Sequence, residues 1–191
     1  MTASALQEGD EIKIVFTGPM GAGKTTAIAA ISDLPPVSTD VDNADRLTFD
    51  KETTTVALDF GEIALDGGQR VKLYGTPGQE RFSFMWQILG EGALGVVLLL
   101  DATQPTMLAD LDVYLTKFES FARASQIVVG VGRTEAPDAT SLDLVVKRLH
   151  LLDLNLPVFG VDVRQRGDVL LLIETLLTLI ESTSLDGPAY D

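Results

Sequence analysis

Gly18-Pro19-Met20-Gly21-Ala22-Gly23-Lys24-Thr25 is an uninterrupted G-x-x-x-x-G-K-[ST] run. Its residue types carry a specific chemistry. Glycines let successive backbone N–H groups converge on phosphate oxygens, the lysine reaches the β- and γ-phosphates, and the final hydroxyl ligates Mg²⁺. Gly18, Met20, Gly21, Ala22, Gly23, Lys24, Thr25 and Thr26 are therefore the expected phosphate-binding residues, with Thr25 also on the metal. The alternative is an ordinary glycine-rich turn. The flanking sequence argues against it: Ile12 to Thr17 reads as a strand and Thr25 to Ile31 as a helix. A helix beginning at Lys24 would point its positive dipole end at the anion.

The rest of the chain must position this loop. Val56 to Leu65 and Arg70 to Tyr74 read as a hairpin about Asp66-Gly67-Gly68. Val96 to Leu100 is continuously apolar, as a strand covered on both faces must be. Gln126 to Val131 and Pro157 to Val161 are further strands. Helices are expected over Met107 to Phe121, over Thr140 to Leu152 with Thr140 and Asp143 as a capping box, and through Leu170, Ile173, Leu176, Leu177 and Ile180. Leu34 to Thr55 lacks periodicity, and a stretch of that length inside a compact domain is usually functional. This alternation predicts an α/β fold: about six mostly parallel strands with one antiparallel edge strand, and helices on both faces. One domain is expected over 1–191, with its core at about 11–181 and loose ends at 1–10 and 182–191.

Composition excludes several functions. The chain has 191 residues, 46% of them hydrophobic, enough for a sizeable core. With 14 Lys and Arg against 28 Asp and Glu, the net charge of −14 argues against nucleic acid and anionic lipid as partners. Zero cysteines exclude disulfide, thiolate and zinc–cysteine chemistry. The start carries neither a secretory signal nor an acylation site, no prenylation signal is possible without cysteine, and no apolar run is long enough to span a bilayer. A cytoplasmic protein without a direct membrane anchor is expected.

Two later stretches are more specific. Thr55-Val56-Ala57-Leu58-Asp59-Phe60-Gly61, followed by Tyr74-Gly75-Thr76-Pro77-Gly78-Gln79-Glu80-Arg81-Phe82, resembles the two switch regions of small Ras-like GTPases. The closer likeness is to a bacterial, MglA-like branch whose members are often associated with roadblock-type partners. The resemblance implies a P-loop NTPase G domain that binds GTP and GDP with Mg²⁺, hydrolyses GTP slowly and acts as a signalling switch. It implies that Thr55 completes the metal shell with Thr25, that Gly78 offers its N–H to the γ-phosphate, and that Gln79 orients the attacking water. A GTPase-activating partner, with the roadblock type as one candidate, and an effector would meet the switch regions. Thr55 competes for its role with Thr53 and Thr54.

The pattern is incomplete in two places. Gly75 stands where the Ras-like D-x-x-G has its aspartate, which predicts a weaker Mg²⁺ requirement. Gly132-Arg133-Thr134-Glu135 stands in place of N-K-x-D. Glu135 can still accept two guanine N–H donors, Arg133 can lay its stem over the base, and a backbone N–H near Val163 can meet guanine O6. These departures keep a non-hydrolysing nucleotide-binding scaffold open as the alternative. Asp101, after the apolar run, reads as a strand-terminating carboxylate. Arg46 and Arg81 are the candidate cations for the transition state, the alternative being a finger supplied by a partner. Phe82, Phe84, Met85 and Trp86 form either a partner patch with Trp86 as its surface anchor or a plug for the core.

Overall fold

The computed structural model describes residues 12–35, 37–38, 58–64 and 69–185. One sheet has the order β2-β3-β4-β1-β5-β6-β7. Its members are β1 (Ile12–Thr17), β2 (Val37–Ser38), β3 (Asp59–Ala64), β4 (Arg70–Gly75), β5 (Gly95–Asp101), β6 (Ile127–Gly132) and β7 (Val158–Gly160). From β4 across to β7 every pairing is parallel, as expected for strands connected through helices. The other edge is antiparallel twice, at β3–β4 and at β2–β3. The second of these pairs was not expected, because a two-residue strand leaves no alternation to read. The hairpin register runs from Asp59 opposite Gly75 to Ala64 opposite Arg70. Its turn, Asp66-Gly67-Gly68, lies outside the described residues.

The helices are α1 (Lys24–Ile31), α2 (Ser83–Gly90, after a 3₁₀ turn at Glu80–Phe82), α3 (Met107–Lys117), α4 (Glu119–Arg123), α5 (Leu142–Leu151) and α6 (Arg166–Leu185). They cover both faces because β5 is buried at every position and alternates its side chains. Val96, Leu98 and Leu100 pack with Trp86, Leu111, Tyr114 and Leu149 from α2, α3 and α5. Val97 and Leu99 pack with Ile28, Ile31, Leu172 and Leu176 from α1 and α6. Among the described residues, no helix is long and apolar enough to cross a membrane.

Three local expectations are corrected. The helix expected over Met107–Phe121 breaks at Phe118, whose backbone leaves the helical region at φ −110°, ψ 34°. The apolar spacing runs on through the break, so periodicity could not show it. The cap of α5 is Ser141, whose hydroxyl accepts the Asp143 N–H at 3.2 Å, and not Thr140. The Thr140 N–H instead donates to the Ala102 carbonyl at 2.7 Å, which ties that residue to the end of β5 and starts the helix one place later.

Trp86 is the third. It is 1% exposed, stacks on Tyr114 at 4.4 Å between ring centroids, and donates its Nε1–H to the Pro77 carbonyl at 2.7 Å. A large ring whose single polar atom finds a partner is favoured in a core over a surface. The contact also moors the segment after β4 to the body of the fold. Truncating Trp86 to Ala is expected to cost about 3–5 kcal/mol of stability. Trp86→Phe, which keeps a ring and loses the N–H, should cost about 1–3 kcal/mol, both read by urea unfolding followed by circular dichroism.

Candidate functional site

The loop between β1 and α1 turns on Gly18, whose φ of 139° is open to glycine and strained for other residues. A Cβ there would stand 2.1 Å from the Leu99 carbonyl oxygen, so β5 also demands the absence of a side chain. Gly23 caps α1 at φ 96° with no side-chain hydrogen bond to the helix start. The first amides of α1 are thereby left to an external acceptor, the arrangement that binds phosphate at helix N-termini.

Lys24 is buried, and its Nζ donates to the carbonyls of Gly18 at 2.7 Å and Pro19 at 2.8 Å. Burial lowers its pKa to about 8, partly opposed by the negative charge of Asp59. Thr25 donates its hydroxyl proton to Asp59 Oδ2 at 2.7 Å. After β4, the Thr76 N–H donates to the Phe16 carbonyl at 2.8 Å, fixing the next segment beside β1. Gly78 then lies directly over the loop: a Cβ on it would be 2.5 Å from the Met20 nitrogen. Gln79 follows, its Nε2 donating to Met20 Sδ at 3.8 Å.

A cavity of about 950 Å³ opens over these residues, within the range of small-molecule sites. Of the residues expected from sequence, Met20, Gly21, Ala22, Gly23, Lys24, Thr25, Thr26, Gly78, Arg133, Glu135 and Val163 all line it. Gly18 and Gln79 do not line it: Gly18 lies at the turn out of β1, and the Gln79 side chain is turned to Met20. Thr55 and Arg46 lie outside the described residues.

At the far end, Arg133 takes the left-handed conformation at φ 58°. Its guanidinium forms an ion pair with Asp101 and donates to the Gly21 carbonyl at 3.3 Å. That grip joins the loop after β6 to the phosphate loop and leaves the exposed Glu135 at the cavity wall. Burial pushes the Asp101 carboxyl up, but hydrogen bonds from the Thr103 hydroxyl and amide, the Arg133 charge and Gln104 outweigh it and hold the group below its ordinary range. Asp101 is thus a structural anion for Arg133. Asp168 accepts the Asp162 N–H at 2.8 Å and so shapes the loop that carries Val163.

Asp59 and the anchoring role of Asp101 were not anticipated. Asp59 was visible as the one carboxylate inside Thr55-Val56-Ala57-Leu58-Asp59-Phe60-Gly61, but only the strand register shows what it faces. The donors gathered here, a threonine hydroxyl beside a carboxylate at the foot of a phosphate loop, are hard oxygens that suit Mg²⁺.

The chain is similar to several known proteins. The chain is 29% identical over 121 residues to Ras-related protein Rab-18-B of Danio rerio, covering 61% of this chain and 53% of that protein. It is 30% identical over 139 residues to Ras-related protein Rab-26 of Mus musculus, covering 71% and 48% respectively. An uncharacterized protein of Methanocaldococcus jannaschii is 30% identical over 95 residues, covering 50% and 54%. The chain thus spans about half the length of these relatives, and its homology to the Ras superfamily holds at low identity. Residues 16–129, which carry the phosphate loop, the Thr76-to-Gln79 segment and the whole of β5, match the family described as "conserved hypothetical ATP binding protein", and it is to this family that the chain belongs.

Proposed function

We propose that this chain is a single G domain that binds GTP and GDP, hydrolyses GTP slowly and works as a nucleotide-dependent switch of the MglA-like type. The observation that carries the reading is the cavity itself, with a phosphate-binding loop at one end and a carboxylate, Glu135, at the other. Guanine presents two adjacent N–H donors on one edge, and a carboxylate accepts both. Adenine presents the N1 acceptor beside its single amino donor and would leave Glu135 facing a lone pair. The family's description names ATP, so guanine against adenine is the distinction to measure.

In this reading Lys24 and the amides from Gly21 to Thr26 hold the phosphates. Thr25 and Thr55 hold Mg²⁺, which when bound neutralises charge on the β- and γ-phosphate oxygens. Gly78, which packs against the Met20 backbone, would offer its N–H to the terminal phosphate. Gln79 would leave Met20 to orient water. Arg46 or a partner supplies the transition-state cation. Phe84 and Ile88, each 58% exposed on α2, give a regulator or effector an apolar contact, a role that the buried Trp86 does not fill. Such a partner could be of the roadblock type.

A non-hydrolysing scaffold is the second reading. It is favoured by Gly75, by Gly132 and by the side-chain contact that turns Gln79 toward Met20. Single-turnover hydrolysis with protein in excess of radiolabelled GTP separates the two. The parent should cleave at a rate on the order of 10⁻⁴ to 10⁻² s⁻¹, and Gln79→Ala should be at least about tenfold slower. No phosphate release by the parent over several hours would leave the scaffold reading standing.

A further inference from the structure

Gly75 ends β4 at the position where the Ras-like pattern carries its metal-directed aspartate, and the loss points to a poor Mg²⁺ site. The fold answers this from the neighbouring strand. The antiparallel register sets Asp59 directly opposite Gly75. Residues opposed in this way project their side chains on the same face, a few ångströms apart. A Cβ built on Gly75 would lie 2.9 Å from Asp59 Cβ and 2.9 Å from Asp59 Oδ2, closer than real Cβ atoms come. The Asp59 carboxylate therefore occupies the space into which a side chain at position 75 would project, and the two positions cannot both carry one without rearrangement.

The same oxygen is engaged with the site. Thr25 gives its proton to Asp59 Oδ2, so its hydroxyl lone pairs are left to face the cavity, where a divalent cation would bind. Carboxylates that orient a ligating hydroxyl, or accept from a cation's bound water, set the affinity of such sites without touching the ion. Mg²⁺ keeps several of its waters when bound beside phosphates and so relies on acceptors of this kind.

We propose that Asp59 supplies, from β3, the carboxylate of the Mg²⁺ site that Gly75 lacks on β4. The proposal rests on the nucleotide-binding reading above and reverses the expectation that Gly75 alone suggests. Asp59 is a positioning residue, acting through the Thr25 hydroxyl and through metal-bound water. Gly75 is the residue that makes room for it.

The test is release of fluorescent mant-GDP from the full chain as Mg²⁺ is varied from EDTA to millimolar. Mg²⁺ should slow release from the parent strongly. Asp59→Asn keeps the volume and removes the charge. It should raise the half-effective Mg²⁺ concentration by about 10- to 100-fold, with the release of each protein in EDTA taken as its own baseline. The exchange variant Asp59→Gly with Gly75→Asp moves the carboxylate across the register and should restore a parent-like Mg²⁺ dependence. Should Asp59→Asn fail to melt cooperatively, the exchange variant decides alone: a parent-like dependence supports the proposal and its loss overturns it. An Asp59→Asn curve that superimposes on the parent's also overturns it. A parent that binds mant-GDP with no response to Mg²⁺ overturns the proposal and spares the nucleotide reading. A parent that binds mant-ADP instead overturns the guanine reading, and the same Mg²⁺ series is then run with that probe.

Discussion

Lys24→Ala is expected to weaken GDP binding by roughly 10²- to 10³-fold, while the protein still unfolds cooperatively. The loss follows from removing a charged donor aimed at phosphate in a buried setting, where such bonds are worth several kcal/mol. The fold should survive because the polar contacts of Lys24 are local: its Nζ is held by two loop carbonyls, of Gly18 and Pro19. Burial of the ammonium instead works against stability. Its pKa falls from 10.5 to about 8 in the folded chain, so between those values the unfolded chain binds more protons. Stability of the nucleotide-free parent should therefore rise between about pH 8 and pH 10.5 through this group, an increment that Lys24→Ala lacks. Phosphate favours the charged lysine, so GDP binding to the parent should take up a proton near pH 8.5 and weaken as pH rises further. Calorimetry in buffers of different ionisation enthalpy reads the uptake, and thermal melts of both proteins across this range read the stability. GDP affinity unchanged in Lys24→Ala would remove the phosphate role.

Glu135→Ala should bring the second large effect, a loss of roughly 30- to 1,000-fold in GDP affinity with ADP affinity scarcely changed. Two hydrogen bonds to an ionised acceptor are lost, at about 1.5–3 kcal/mol each before compensation by water. The effect should be confined to the base because the loop has its own support. Arg133 is gripped by Asp101 and by the Gly21 carbonyl, so removing the Glu135 side chain leaves the backbone of the loop in place. Competition of unlabelled GDP and ADP against one fluorescent nucleotide measures both affinities in one preparation. Equal losses for the two would show that Glu135 shapes the loop and does not read the base.

Much of the site was legible in the chain because it is local. The phosphate loop, the strand before it and the helix after it are consecutive, and each residue type is dictated by chemistry at that place. The apolar run of β5 gave its burial on both faces directly, and the hairpin followed from two strand-like runs about a turn. What could not be read depends on residues far apart in sequence. Asp59 gains its meaning only from standing opposite Gly75 and beside Thr25, which is a matter of register. Asp101 and Arg133 meet across adjacent strand ends, where either could have been a solvated charge. Trp86 follows a polar loop, and nothing local tells a core plug from a surface anchor. Its burial is decided by Tyr114 and by the Pro77 carbonyl. Ser141 and Thr140 are equally good caps, and a backbone hydrogen bond to Ala102 chooses between them.

Whether the cavity holds a guanine nucleotide is decided by the affinities of the unmodified chain for GDP and ADP in millimolar Mg²⁺. A site built to pair a carboxylate with two donors should reject a base that offers an acceptor there, so calorimetry should find GDP bound at least about a hundredfold more tightly. ADP bound as tightly as GDP, or more tightly, would contradict the account and favour the adenine nucleotide that the family's description names.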